Sequence, residues 1–120
     1  MTVSVTLPWP PKELSPNFRT RSHRLVSVRR KEYRKACFDA AWDRGIRPVQ
    51  LLALKSVTFH PSGNYGYDDD NLRSRFKAGR DGLAEAMGVD DRTFNDVPHE
   101  LGAVVKGGAI VALLEEIPVT

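Results

Sequence analysis

The residues of this chain that could do chemistry gather in one stretch: Tyr67-Asp68-Asp69-Asp70-Asn71, a helix-like segment carrying Lys77, and then Asp90-Asp91. Where the backbone is extended, Asp68 and Asp70 leave it on one face and Asp69 on the other, so two hard oxygen donors converge. A third carboxylate from the Asp90-Asp91 turn would complete a site suited to Mg²⁺ or Mn²⁺, which keep open positions for water and phosphate oxygens. Metal-assisted phosphodiester hydrolysis is the reaction such a set serves. An acidic triplet close to Asn64 and Gly66 also reads as a solvated loop. The segment that follows shifts the balance: Leu72, Phe76, Leu83 and Met87 recur at spacings of four, seven and four, the mark of one apolar helix face. Asp70, Ser74, Lys77 and Asp81, spaced four, three and four, form a polar face on the same helix. Lys77 beside Asp70 could stabilise charge developing on phosphorus and the leaving oxygen; the plainer reading is a surface ion pair with Asp81.

The elements that must position these residues follow an α/β (α+β) order. Val3, Val5 and Leu7 alternate as a first strand, which Pro8, Pro10 and Pro11 stop. Trp9 to Leu25 reads as a long irregular loop, and loops of that length are more often functional than idle. Trp9 could stack on unpaired bases, but its flanking prolines favour packing under the turn. Ser27 reads as the N-cap of a first helix carrying Tyr33, Ala36, Cys37, Ala40 and Ala41, which Gly45 ends. Leu51 to His60 reads as a strand, with Leu52 and Leu54 and then Val57 and Phe59 as its apolar positions. Gly88 caps the second helix and Asp90-Asp91 occupies the turn leaving it. Leu101, Ala103 and Val105 alternate before Gly107-Gly108, and an apolar run resumes at Ile110, so Lys106 to Ala109 reads as a tight hairpin. The expected order is β-α-β-α-β-β, a small mixed sheet with two main helices in a single domain spanning residues 1–120.

Composition bounds the rest. A chain of 120 residues with 41% hydrophobic and 28% charged content reads as a soluble globular domain, and no apolar run is long enough to cross a bilayer. The absence of a signal-peptide pattern and the single cysteine, Cys37, lead us to expect a reducing cytoplasmic setting. Cys37 reads as core rather than nucleophile, and His23, His60 and His99 as surface or supporting residues without zinc-ligand spacing. The net charge of +3 conceals a division: residues 12–47 carry +7 and the remainder −4. Such a division sets a basic surface for nucleic-acid backbone beside an acidic pocket, or simply gives one helix a solvated basic face.

Taken together, Leu7-Pro8-Trp9-Pro10-Pro11, Ser15-Pro16-Asn17, Val26-Ser27, Tyr33-Arg34, Asp68-Asp69-Asp70-Asn71-Leu72, Asp90-Asp91 and Lys106-Gly107-Gly108 resemble the RusA-type Holliday junction resolvases over nearly the whole chain. The resemblance implies a RusA-like fold and a Mg²⁺-dependent, structure-specific endodeoxyribonuclease (a hydrolase) that resolves four-way junctions by paired symmetric nicks in DNA recombination and repair. It implies Asp68, Asp70 and Asp91 as metal ligands, with Asp90 a supporting acid and Mn²⁺ an acceptable substitute. It also implies a catalytic lysine on the intervening helix. That family places the lysine three residues after the asparagine, where this chain has Ser74, and the helix is two residues longer. Lys77, four residues before Asp81, recovers the family spacing; Arg73 and Arg75 remain candidates.

A homodimer is implied, with one site for each of two symmetry-related strands. Arg19, Arg21, Arg29 and Arg30 would hold the arms of branched DNA through phosphates. A bacterial or phage-encoded protein with no membrane association and no organic cofactor is expected. Two alternatives stand beside this reading: a non-catalytic junction- or DNA-binding protein, and a metal-dependent nuclease for other branched or flap DNA. A calcium loop of the EF-hand type does not fit, because Leu72 falls at a ligand position.

Overall fold

Alternating and helical periodicities become four strands and two main helices in the computed structural model, which describes residues 2–63 and 69–117. Strand β1 (Thr2–Pro8) is followed by helix α1 (His23–Asp43), strand β2 (Leu52–His60), helix α2 (Asp69–Met87), and strands β3 (His99–Leu101) and β4 (Ala109–Glu116). This is the expected β-α-β-α-β-β order of a small mixed α+β fold. Three single-turn 3₁₀ segments, Lys12–Leu14, Pro48–Gln50 and Asp91–Phe94, join the elements. None of the described helices is long and apolar enough to cross a membrane.

The sheet order is β1-β4-β2-β3. The last strand therefore enters the middle of the sheet, antiparallel to both β1 and β2, while β3 pairs parallel to β2 on the far edge. Each strand buries one side of its pleat. Leu7, Ile110 and Phe59 form one inward row, Val5, Ala112 and Val57 the next, and Val3, Leu114 and Leu54 the third, all of them buried. The break in phase between Leu54 and Val57 is a β-bulge: Leu54 opposes Leu114 and Ser56 opposes Leu113, leaving Lys55 as the extra residue. Without that residue Val57 and Phe59 would turn to solvent, because a one-residue slip reverses every side chain.

Both helices cover the inward face. From α1 come Tyr33, Cys37 and Ala41, and from α2 come Leu72, Phe76, Leu83 and Met87, all buried. Phe76 meets Phe59 of β2 edge-on at 5.8 Å. The helices approach closely where α2 carries glycine. A β-carbon on Gly82 would lie 2.2 Å from the Arg34 carbonyl oxygen, and one on Gly79 would lie 2.7 Å from the Tyr33 ring.

Three local expectations are corrected. Helix α1 starts four residues before Ser27: Ser22 is the N-cap, its Oγ accepting from the Leu25 amide at 3.1 Å. The Trp9–Leu25 segment is correspondingly shorter and contains the Lys12–Leu14 turn. Lys106 to Ala109 does not close a β3–β4 hairpin. After Leu101 the chain continues along the β2 edge, with Gly102 N donating to Phe59 O at 2.8 Å and Val105 N to Pro61 O at 2.9 Å. Gly107 and Gly108, at φ of +80° and +73°, then turn it back across the sheet to β4. The turn itself forms, Gly108 N donating to Val105 O at 2.9 Å, but it leaves from the β2 edge and not from a strand paired with β4. Of the surface and supporting alternatives for His99, the surface one does not hold: it is 5% exposed, with its Nδ1 2.7 Å from the Val97 carbonyl oxygen.

Replacing Gly82 with alanine should lower unfolding stability by about 1–3 kcal/mol, since overpacking against backbone cannot relax by a rotamer change. Urea denaturation measures this, and an unchanged midpoint would mean that the helices separate at no cost.

Candidate functional site

The end of α2 and the turn after it bring carboxylates together. Asp81 stands on α2 four residues after Lys77, and Gly88, at φ +70°, reverses the chain so that Asp90 and Asp91 return toward it. Asp90 caps the Asp91–Phe94 turn, its Oδ1 accepting from the Arg92 amide at 2.9 Å. Together with Arg34 and Glu85, the carboxylates of Asp81, Asp90 and Asp91 line an open cavity of about 430 Å³.

Lys77 is the cation of this cluster. Its Nζ lies 3.2 Å from Asp91 Oδ2 and 3.7 Å from Asp81 Oδ1, bridging α2 to the turn. The alternatives on the helix are directed elsewhere. Arg75 donates through Nε and Nη2 to the carbonyl oxygens of Pro11 and Pro10, at 3.2 and 2.8 Å, and lies over Trp9. Arg73 lies close enough to His99 to disfavour its protonation, which burial opposes more strongly.

The carboxylates are not equivalent. Burial raises Asp81 above the usual carboxylate range, and a hydrogen bond shared with Asp91 raises it further. The same bond, with that from Lys77, holds Asp91 low. The two carboxyls are thus split, Asp81 the weaker acid and Asp91 the stronger. Asp90 is exposed and gripped by Arg92 through side chain and backbone, which lowers it to about 2. The signs for stability are opposite. Asp90 and Asp91 contribute stability that is present above the ordinary carboxylate range and lost as pH falls through their lowered values. Asp81 contributes stability that is present below that range and lost as pH rises through its raised value.

The expected site set is partly assembled. Lys77, Asp90 and Asp91 are neighbours; Asp70 is exposed on the first turn of α2; Asp68 lies outside the described residues. Among the described residues no three His, Cys, Asp or Glu side chains gather closely enough to hold a metal ion. The donors that are described are hard carboxylate oxygens, the type that Mg²⁺ takes. Asp81 is the member that sequence reasoning passed over, because it read as a simple ion-pair partner of Lys77; its signal was the four-residue spacing to Lys77.

The proline-rich opening motif is tied to the acidic one. Ser15 Oγ donates to Asn71 Oδ1 at 3.3 Å, and Arg75 holds the Pro10 and Pro11 carbonyls. Trp9 is half-buried against the core, and a β-carbon on Gly108 would lie 2.9 Å from its ring. Tyr33 OH donates to the Pro8 carbonyl at 2.7 Å from inside the core. Cys37 is fully buried, and burial pushes its thiol up to about 12, which removes it as a nucleophile. Of the four expected DNA contacts, Arg19 and Arg21 are exposed in the segment before α1. Arg29 is engaged by Glu32 at 2.8 Å and Glu13 at 3.6 Å, and Arg30 faces α2.

No family model matches the chain. It is 38% identical over 117 residues to an uncharacterized protein of Xylella fastidiosa (strain Temecula1 / ATCC 700964), covering 95% of this chain and 76% of that one. The chain belongs to the same family as that protein.

Removing the Arg92 side chain (Arg92→Ala) should return the Asp90 carboxyl from about 2 toward the ordinary aspartate value near 4. Carboxyl-detected NMR titration reads this directly, and an Asp90 still titrating near its lowered value in the variant would show that the backbone amide of residue 92, and not the Arg92 guanidinium, is the cause.

Proposed function

We propose that this family member is a Mg²⁺-dependent endodeoxyribonuclease that cuts four-way DNA junctions. The observation that carries the reading is the Lys77–Asp91–Asp81 cluster, in which an ammonium bridges two carboxylates of unequal proton affinity at a cavity bordered by the basic helix α1. The likeness of the chain's motifs to the RusA-type resolvases supplies the substrate class. In this reading Asp68, Asp70 and Asp91, with Asp90 alongside, hold the metal, which when bound supplies charge neutralisation and activation of the attacking water.

The remaining work falls to the chain's own groups. Lys77 stabilises negative charge on the phosphoryl oxygens and the departing 3′-oxygen. Asp81 holds its proton more tightly than Asp91 does, because burial and the hydrogen bond it shares with Asp91 raise it while Lys77 and that bond lower Asp91. Arg19, Arg21, Arg29 and Arg30 take the backbone phosphates of the arms and give binding a steep salt dependence. Two copies of the chain would match the two-fold symmetry of a junction and nick opposite strands, leaving 5′-phosphate ends.

A synthetic immobile junction incubated with Mg²⁺, beside linear duplex and a flap, tests the proposal. Paired symmetric nicks confined to the junction are expected. Asp70→Asn and Asp91→Asn should abolish them while junction binding persists, and Lys77→Met should slow cutting by about 10²–10³-fold. Tight binding with no cutting by the natural chain would instead establish a junction-binding protein, and equal cutting of the flap a nuclease of broader specificity.

A further inference from the structure

Beside the acidic cavity, and sharing Asp81 with it, lies a second and more enclosed cleft of about 190 Å³. Leu14, Arg30, Ser74, Arg75, Lys77 and Asp81 line it. Its volume is roughly six times the ~30 Å³ that a water molecule occupies in the liquid, room for a phosphate group with its flanking sugar atoms. Cationic side chains line it from both helices, Arg30 from α1 and Lys77 from α2, with Arg75 beside them turned to the Pro10 and Pro11 carbonyls, against the single carboxylate of Asp81. The charge balance therefore favours an anion, and the distribution of ion pairs on α1 points the same way. Arg29 is held by Glu13 and Glu32, Arg34 by Glu85, and Lys35 by Asp39. Arg30, like Arg24 and Lys31 of the same helix, has no such partner among the described residues, and of these three only Arg30 borders this cleft.

The remaining groups suit a tetrahedral oxyanion. Ser74 presents a hydroxyl one helical turn before Lys77 and Ala78. Arg75 is anchored on the Pro10 and Pro11 carbonyls, so its guanidinium is positioned before any ligand arrives. Planar guanidinium donors and a compact ammonium are the usual partners of phosphate oxygens. Lys77 stands on the wall between the two cavities, bonded to Asp91 on one side and lining the cleft on the other.

The geometry points to a phosphate subsite: Arg30, Ser74 and Lys77 hold the backbone phosphate next to the one that reaches the acidic cavity. The identity of the ligand as a DNA strand rests on the function proposed above; the affinity of the cleft for a phosphate does not. Arg30 thereby acts at the cleavage centre as well as on the distant arms, setting the register of the strand by gripping it one phosphate away.

The 5′-phosphorylated dinucleotide pTpT is the probe. Followed by amide NMR, it should shift residues 74–78 of the natural chain. Arg30→Gln combined with Ser74→Ala should weaken binding by about tenfold or more, the cost of losing hydrogen bonds to a charged group. Lys106→Gln, in the turn before β4, should change nothing. On intact junction DNA, Arg30→Gln alone should reduce the slope of log affinity against log salt by about 0.9. A natural chain that binds pTpT at these residues but cuts no DNA refutes the nuclease reading and leaves the subsite standing. A chain that cuts junctions while the double variant keeps both its pTpT affinity and its salt slope refutes the subsite alone. Failure of pTpT to shift residues 74–78 refutes it as well.

Discussion

Helices α1 and α2 cross with almost nothing between them, and the meeting of basic groups of α1 with the acidic end of α2 depends on that crossing. Gly82 faces the Arg34 carbonyl and the Phe38 amide so closely that any side chain would strike backbone, and Gly79 leaves room for the Tyr33 ring. Close contact lets Arg34 of α1 reach Glu85 of α2 at 3.3 Å and puts Arg30 beside Lys77. A wider separation would divide one composite surface into a basic helix and an unrelated acidic turn. The cost is borne by helix propensity, since each glycine in a helix interior destabilises it by about 1 kcal/mol relative to alanine.

The sheet beneath the helices imposes a second dependence. Strand β4 is the last element in the chain and the central partner of both β1 and β2, so the platform under the helices is completed only when the C-terminal segment arrives. Ala112, the smallest residue of the middle inward row, lies between Val5 and Val57, while Phe59 and Phe76 meet edge to face in the same core. The core thereby fixes the first turns of α2, through Leu72 and Phe76.

Charge is arranged in pairs of unequal strength. The contacts of Lys77 and Arg92 are exposed and add little to folding. Their importance is to proton affinity: Arg92 lowers Asp90, Asp81 and Lys77 lower Asp91, and burial with the bond to Asp91 raises Asp81. All three carboxylates face the cavity, and they differ in how tightly each holds a proton.

Much of this could be read along the chain. The alternation of Val3, Val5 and Leu7, the broken alternation of β2, the apolar face of α2 and the glycine that ends each helix are properties of a few consecutive residues. Backbone periodicity dictates them whatever packs against them. The same holds for Lys77 and Asp81 on one helix face, and for Asp90-Asp91 in the turn after Gly88. Other features needed the folded molecule: β4 between β1 and β2, β3 parallel to β2 instead of hairpinned to β4, Asp81 sharing a hydrogen bond with Asp91, and Arg30 brought to Lys77 across two helices. Each of these joins residues far apart in the chain through competition among possible partners. Spacing along the sequence is blind to that competition, because which partner wins depends on how closely whole elements can approach, as the two glycines at the crossing of α1 and α2 show for Arg30 and Lys77.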